Sequence, residues 1–212
     1  MGRIWSEENR FQKWLEVELA AADTLADTGV VPREAATRLR ERSRIDVTRI
    51  LEIESRVRHD VIAFTVAIGE TVGDPEAARW LHYGLTSNDV VDTAQALLVR
   101  EASALIEPGI ERFGEILERR AWEFKDVPEI GRTHGVHAEP ITFGLKIANW
   151  YDENRRDLVR FPAQTPVPPR MIEHCRRLAQ MRSKSAYQMG SLPFVVRGTS
   201  ALAQTRTQGN SR

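Results

Sequence analysis

The stretch that begins at Thr86 or Ser87 and ends near Lys125 constrains the fold of this chain more than any other. Its apolar side chains recur mostly at helical spacings, which predicts one long helix with a bend allowed at Pro108-Gly109. They include Val90, Leu97, Ile106, Phe113, Ile116 and Leu117. At 1.5 Å per residue such a helix would be ~50 to 60 Å long. A compact domain of this size does not need so long a helix, so the pattern predicts an oligomer built around a helical bundle.

Other segments also carry helical periodicity. Ser6 is predicted to cap a first helix, Pro32 to open a second, and Asp46 to cap a third that continues to a break at Gly73. Another helix is predicted after Pro140. No two-residue alternation and no strand–turn–strand signal stands out, and the residues between these helices, 131–137 included, are predicted as loops. The predicted fold class is therefore all-α.

The composition excludes several classes of protein. Apolar residues make up 42% and charged residues 28% of the chain, which is typical of a water-soluble globular protein. No apolar stretch approaches the ~18 to 20 residues that a membrane-spanning helix needs. A formal net charge of zero argues against a nucleic-acid binder, and a lone cysteine, Cys175, suits a reducing compartment. We expect a cytoplasmic protein that binds neither membrane nor nucleic acid.

The composition changes abruptly near Phe161. Residues 162–212 hold eight Lys/Arg and one acid, a formal charge of +7, whereas residues 1–161 hold 22 Lys/Arg and 29 Asp/Glu, a charge of −7. Half of the ten prolines also lie in this tail. We therefore predict a boundary between a helical region, 1–161, and a divergent basic tail, 162–212. The tail is interpreted either as the product of a shifted reading frame, which the abrupt boundary favours, or as a real, partly disordered extension.

Three short clusters contain residues that could carry chemistry. The first is Arg58-His59-Asp60, a charge triplet late in the third predicted helix or at a break in it, and such triplets usually lie on solvated helix faces. The second runs from His82 to Asp89. Thr86 and Ser87 begin the long helix there, where hydroxyls and free N–H groups can bind an anion. On spacing alone, however, ordinary helix capping explains this cluster better.

The third cluster runs from Gly131 to Pro140 and contains His134 next to Gly135. A histidine can donate or accept a proton near neutral pH, and the glycine allows a ligand to approach the backbone closely. Taken alone, a loop histidine that bonds a nearby carbonyl is the simpler interpretation. His137 and Glu139 follow, but without an HExxH arrangement or a cysteine pair no metal site is predicted. Phosphate-loop, GxGxxG and GxSxG motifs are absent from the sequence.

In their order along the chain, these clusters are far more specific than any one of them. Together with IWSEENRF at residues 4–11, the segments RHDV, GLTSNDVVDT and GRTHGVHAEP closely resemble the adenylosuccinate lyases of the fumarase/aspartase superfamily. The resemblance is nearly continuous from Arg3 to Phe161. Many relatives have Thr where Asn88 stands, which is a mild departure from the family pattern.

The resemblance implies a fold, an assembly and a reaction. The fold is an N-terminal helical domain followed by the start of a long-helix bundle, and the family forms homotetramers whose active sites are each assembled from three subunits. The reaction eliminates fumarate from adenylosuccinate to give AMP, and from a succinylated aminoimidazole carboxamide ribotide in purine synthesis. The resemblance implies neither a metal nor an organic cofactor, and the expected partners are a succinylated nucleotide and further copies of the chain.

The resemblance also implies roles for particular residues. His134 matches the acid that protonates the leaving nitrogen, and His59 matches a second active-site histidine near the substrate's phosphate. Thr86 and Ser87 match the hydroxyl pair that contacts the succinyl carboxylates. The other expected pocket residues are Arg58, Asp60, His82, Asn88, Asp89 and Thr133.

One part of the family pattern has no counterpart in this sequence. The general base of the family is a serine in a mobile loop that reads like GSSxMPxKxNP, and Gly190-Ser191-Leu192-Pro193 is too poor a match for that role. We therefore expect an incomplete lyase that is inactive alone. Two alternatives stay open: another lyase of the superfamily, such as one acting on argininosuccinate, and a non-catalytic helical oligomerisation protein.

Overall fold

The computed structural model of the chain describes residues 1–164, with side chains through residue 161. The predicted tail therefore lies outside the described residues, apart from the backbone of 162–164. The described part contains seven helices and one two-stranded sheet, which confirms a predominantly helical fold. In chain order these are α1 (Glu7–Asp27), α2 (Arg33–Arg42), α3 (Val47–Val57), α4 (Asp60–Val72), α5 (Pro75–Ala78), α6 (Ser87–Glu123), β1 (Pro128–Thr133), β2 (Val136–Thr142) and α7 (Phe143–Gln164).

The first four helices enclose the main hydrophobic core. In α1, Phe11 and Trp14 pack edge-on with ring centroids 5.3 Å apart, and Phe11 stacks on Phe64 of α4 at 6.0 Å. All three rings are almost fully buried, so each contributes the large apolar area that dominates core energetics. The start of α6 joins this core through Val90 and Ala94.

Helix α6 is the predicted long helix and contains 37 residues without interruption, including Pro108. Its first half packs on α1, and its second half packs on α7, which runs back along it. Asn154 of α7 donates a hydrogen bond to the carbonyl of Ile110 at 3.2 Å, which fixes the register of the two helices. The predicted caps Ser6 and Asp46 also accept bonds from Asn9 and Arg49 N–H groups.

Two predicted elements differ from the structure. The third predicted helix, for which a break at Arg58-His59-Asp60 was left open, is two helices, α3 and α4, because Arg58 adopts a left-handed φ of 57° and ends α3, while His59 caps α4. Residues 131–137, predicted as a loop, lie in an antiparallel hairpin of β1 and β2, and the helix after Pro140 begins at Phe143. The hairpin was missed because most of its side chains are exposed on both faces, which removes the apolar–polar alternation that marks a strand.

Candidate functional site

The hairpin presents His134 at its tip. Thr133 pairs with Val136, so the turn consists of His134 and Gly135 alone, with φ of 50° and 76°. Positive φ at both residues is what a type I′ turn requires, and this turn fits the right-handed twist of the strands. His134 is exposed, as is Thr133 beside it. The predicted acid therefore lies in a two-residue turn with its side chain accessible to a ligand.

A bulge lower in the hairpin explains Gly131. Ile130 pairs with Pro140 and Arg132 with His137, so one residue of β1 lies opposite two of β2. A Cβ at Gly131 would come within 2.8 Å of the Glu139 carbonyl oxygen, so only glycine fits without a shift of backbone. Bulges bend and twist a strand pair, and this one lies between the base of the hairpin and the turn that contains His134.

His59 lies in the junction between α3 and α4. Its Nδ1 accepts a hydrogen bond from the Ile62 N–H at 3.3 Å, so the ring acts as the N-terminal cap of α4. A ring nitrogen that accepts carries no proton, so the neutral ring keeps its hydrogen on Nε2, available to donate to a ligand. The ring is exposed, and the carboxylate of Asp60 is 3.6 Å from Nδ1.

The second cluster forms the entry to α6. Thr86 donates from its backbone N at 2.7 Å and from its hydroxyl at 2.8 Å to one carboxylate oxygen of Asp89. This is the capping geometry that spacing alone favoured, and it engages the Thr86 hydroxyl within the chain. The side chains of Ser87 and Asn88 form no hydrogen bond within the described residues, so they are the ones free to bind a ligand at this helix N-terminus.

His82 makes a contact that the sequence did not reveal. Its ring Nδ1 lies 2.6 Å from Oε1 of Glu18, and its backbone N–H donates to Oε2 of the same carboxylate at 2.8 Å. Glu18 belongs to α1, 64 residues earlier, and is only 2% exposed. A charged residue between Trp14 and Ala22, on the apolar face of a helix, was the one available signal for this contact.

The electrostatics of His82 favour its charged form. Burial alone would lower the pKa of His82, but the hydrogen bond to Glu18, with the charges of Glu18 and Asp89, raises that pKa above its usual value of 6.5. His82 therefore gains a larger share of imidazolium at neutral pH than a solvated histidine has. That charge lies in the loop that leads into the α6 N-terminus, where the helix dipole also favours an anion.

The raised pKa of His82 predicts how stability depends on pH. The pair with Glu18 stabilises the folded chain fully below about pH 6.5, and that contribution is lost as the pH rises through the raised pKa. We expect the gap in unfolding free energy between the wild-type chain and His82→Asn to narrow on going from pH 6.5 to about pH 9. Urea unfolding followed by circular dichroism measures it, with exposed His137→Asn as the control. A difference in unfolding free energy that does not change with pH would contradict the raised pKa of His82.

Backbone strain coincides with the predicted site. Within the described residues, three non-glycine residues have a positive φ: Arg58 at 57°, His82 at 59° and His134 at 50°. Each belongs to a different predicted cluster. Such conformations cost of order 1 to 3 kcal/mol each, and they persist where surrounding structure requires them, often at ligand sites. The strain therefore marks the three clusters independently of any sequence motif.

The long helix keeps two of these clusters apart. Thr86 caps the start of α6, and the hairpin begins beyond the other end of that helix. There the Phe143 N–H donates to the Val127 carbonyl, and the Gly144 N–H donates to the Phe124 carbonyl. A straight α6 is ~55 Å long at 1.5 Å per residue. Even a fully extended chain from Val127 would place His134 no more than ~25 Å from Val127. His134 and Thr86 of one chain are therefore ~30 Å or more apart.

The described residues show neither a membrane span nor a metal cluster. Within residues 1–164, no helix is long and apolar enough to cross a membrane. In the same range, no group of three or more His, Cys, Asp or Glu side chains is arranged to hold a metal ion.

Comparison with known proteins decides the family. A family model described as lyase matches residues 1–167. The chain belongs to this lyase family. It is 52% identical over 161 residues to the adenylosuccinate lyase of Bacillus subtilis and 50% identical to that of Streptococcus mutans. Each match covers 76% of this chain but 37% of the relative. The predicted resemblance to the N-terminal part of adenylosuccinate lyases is confirmed.

Solved structures agree with this lyase fold. The chain matches a fumarate lyase from Mesorhizobium sp. BNC1 with a TM-score of 0.70 and 24% identity, over 86% of this chain and 47% of that one. It also matches a 3-carboxy-cis,cis-muconate lactonizing enzyme from Pseudomonas putida with a TM-score of 0.69 and 31% identity, over 76% and 38% of the two chains.

Proposed function

We propose that this chain forms part of an adenylosuccinate lyase. The proposed reactions eliminate fumarate from adenylosuccinate, leaving AMP, and from succinylated aminoimidazole carboxamide ribotide. The observation that carries the proposal is the identity of about one residue in two with adenylosuccinate lyases, against 24% with the fumarate lyase and 31% with the lactonizing enzyme of known structure. We further propose that it works in the cytoplasm without a metal or cofactor.

The chemistry needs two kinds of group, and the clusters offer both. Removing a proton next to a carboxylate creates a doubly charged intermediate, which hydrogen-bond donors at a helix N-terminus stabilise. Ser87 and Asn88 at the start of α6 are placed to do this, with Thr86 and Asp89 shaping the cap. His134 protonates the departing nitrogen, and His59 offers Nε2–H to the substrate.

We propose that this site is shared between chains, and the length of α6 supports this. His134 and Thr86 of one chain are ~30 Å or more apart, too far to contact one substrate. In the proposed assembly, a single site combines the helix entry of one chain with the hairpin tip of another. The exposure of His59 and His134 in the single chain fits this arrangement, because both can contact a neighbouring copy.

An apolar stripe on α6 supports assembly. Val99, Ile106 and Phe113 are exposed at intervals of seven residues, and Phe113 is 52% exposed, with Ile116 three residues further on. Seven-residue spacing is the pattern of helices that pack side by side in bundles. We propose that this stripe, named the α6 stripe, packs against other copies in a homotetramer.

Substituting Phe113 tests the assembly. Phe113→Glu places a charge in the middle of the α6 stripe, and we expect the species to shift from tetramer towards monomer, measured by light scattering after size-exclusion chromatography. Glu111→Gln serves as the control, since it also changes one charge but lies about 160° around the same helix. Equal masses for the wild-type chain and Phe113→Glu would contradict the role of the stripe.

Fumarate release tests the proposed activity. The purified chain is assayed with adenylosuccinate, alone and after mixing with the B. subtilis relative whose histidine aligned with His134 has been replaced. We expect the mixture to regain activity, because this chain supplies a histidine at the hairpin tip and the relative supplies the rest of the site. No activity in any mixture that forms stable mixed oligomers would count against the proposal.

A further inference from the structure

Glu18 is a buried charge that the proposed chemistry does not use. Its side chain is 1% exposed, and an unpaired carboxylate there would be very costly in free energy. Both oxygens are instead satisfied by one residue, His82, through the ring at 2.6 Å and the backbone N–H at 2.8 Å. A carboxylate that bonds both the ring and the backbone of one residue fixes where that residue lies and how its ring is turned.

His82 needs this support because its conformation is unfavourable. Its φ of 59° is left-handed, which costs a non-glycine residue free energy, and Gly84 two residues later is also left-handed. Its side chain is 26% exposed, so the ring is neither fully buried nor free in solvent. Since Nδ1 is taken by Glu18, Nε2 is the ring nitrogen left for a ligand.

We propose that Glu18 is a positioning residue that holds His82 so that its Nε2–H donates to an anionic group of the succinylated nucleotide. The inference rests on the proposed function. A carboxylate behind a histidine fixes the tautomer and the orientation of the ring, as the partners of metal-bound histidines do. The charged groups that face His82 are Glu18 from α1 and Asp89 from α6, and both favour the imidazolium that an anion prefers.

The test combines binding with titration of one ring. Full-length chain, labelled with ¹³C and ¹⁵N, is titrated by NMR, with His82 assigned by its loss in His82→Asn. We expect Glu18→Gln to lower the titration midpoint of His82 and to weaken adenylosuccinate binding about tenfold or more, because a hydrogen bond to a charged group is lost. The weakening should grow as the pH rises. Glu8→Gln, an exposed substitution on the same helix, should change neither property.

A double variant separates positioning from a purely structural role. If Glu18 acts through His82, Glu18→Gln adds no further loss of binding in the His82→Asn chain. Equal losses in both backgrounds, or an unchanged titration of His82 in Glu18→Gln, would overturn the inference. Should Glu18→Gln fail to fold, Glu18→Asp keeps the charge, and the His82 midpoint should then stay close to that of the wild-type chain. If the titration midpoint of His82 in Glu18→Asp were as low as that of a solvated histidine, the inference would be overturned.

Failure of the proposed function looks different. If the wild-type chain binds adenylosuccinate, but Glu18→Gln and His82→Asn bind it equally well, the inference alone is wrong. If neither the chain nor its mixed oligomers with the B. subtilis relative bind adenylosuccinate, the proposed function fails, and the inference fails with it.

Discussion

Fumarate release in the mixed assembly should fall by about two to four orders of magnitude when His134 is replaced by Gln, which is the usual contribution of a positioned general acid. The reason is geometric as well as chemical. The I′ turn exposes His134 at the tip of the hairpin, and within one chain it is ~30 Å or more from the start of α6. In the mixture the relative lacks its own histidine at this position. Activity therefore depends on the imidazole that this chain brings.

The control for this prediction lies on the same hairpin. His137 is exposed, like His134. It does not belong to the turn but to strand β2, in which it pairs with Arg132 of β1. His137→Gln should keep most of the activity, and both variants should form mixed oligomers as readily as the wild-type chain. Equal activity in His134→Gln and wild-type mixtures would remove His134 from the reaction, whatever the family resemblance implies.

The chain assayed alone provides a second outcome to check. Its sequence contains no good match to the serine loop that supplies the base in the family, so we expect no fumarate release without the relative. Release by the chain alone that disappears in His134→Gln would mean that this chain also provides a base. The tail prediction at residues 162–212 would then need to be abandoned, because the base would have to come from an unrecognised segment.

Periodicity was enough to predict the helices but not the junctions between them. The mostly helical spacing of apolar residues from Val90 to Leu117 predicted α6, which runs for 37 residues. The same rule predicted one helix from Asp46 to Gly73 and only left open a break at Arg58-His59-Asp60, because neither Arg58 nor His59 interrupts an apolar pattern by its chemistry. The break is caused by the left-handed backbone conformation of Arg58. The residue that caps the next helix is His59, and histidine is an unusual N-cap.

The hairpin shows the limit of pattern arguments more sharply. Its turn is His-Gly, in place of the Asn-Gly or Asp-Gly that marks most I′ turns, although the glycine at the second position was a usable signal. Pro128 and Pro140 lie in its two strands, and proline is tolerated there because both strands of a two-stranded sheet are edge strands.

The candidate site was predictable as residues but not as an arrangement. The three clusters were found from their residue types and their roles were implied by the resemblance; the structure adds that each cluster contains one non-glycine residue with a left-handed φ. The separation of the second and third clusters follows from helix length, since α6, which Thr86 caps and which continues to Glu123, cannot bring its two ends together. The partnership of Glu18 with His82 could not be found this way, because it spans 64 residues and depends on how α1 packs.

The substitution Gly144→Ala should destabilise the folded chain by roughly 3 kcal/mol or more, because overpacking a tight contact forces backbone to move. A Cβ at Gly144 would clash with the Ala121 carbonyl oxygen and come within 2.6 Å of Cα and 2.7 Å of N of Lys125. All of these are backbone atoms at the end of α6. No flexible side chain can give way, so α7 must separate from α6.

Two other glycines provide matched controls for this prediction. Gly109 lies inside α6, and a Cβ added there would meet no heavy atom within 4 Å, so Gly109→Ala should stabilise by about 0.5 to 1 kcal/mol through helix propensity. A Cβ at Gly114 would lie 2.7 Å from the amide nitrogen of Asn154, which belongs to a side chain that can shift, so Gly114→Ala should fall between the two. Urea unfolding of the three variants gives their free energies of unfolding and hence the order of their stabilities.

The order of these three variants also tests the site indirectly. The hairpin begins where α6 ends, and the contact of Gly144 with Phe124, a backbone hydrogen bond of 2.9 Å, fixes the direction in which the hairpin leaves the helix. If Gly144→Ala separates α7 from α6, it also frees the base of the hairpin that positions His134. Complementing activity should then fall in Gly144→Ala and stay unchanged in Gly109→Ala. Wild-type stability and activity in Gly144→Ala would show that the two helices do not pack as closely as the structure has them.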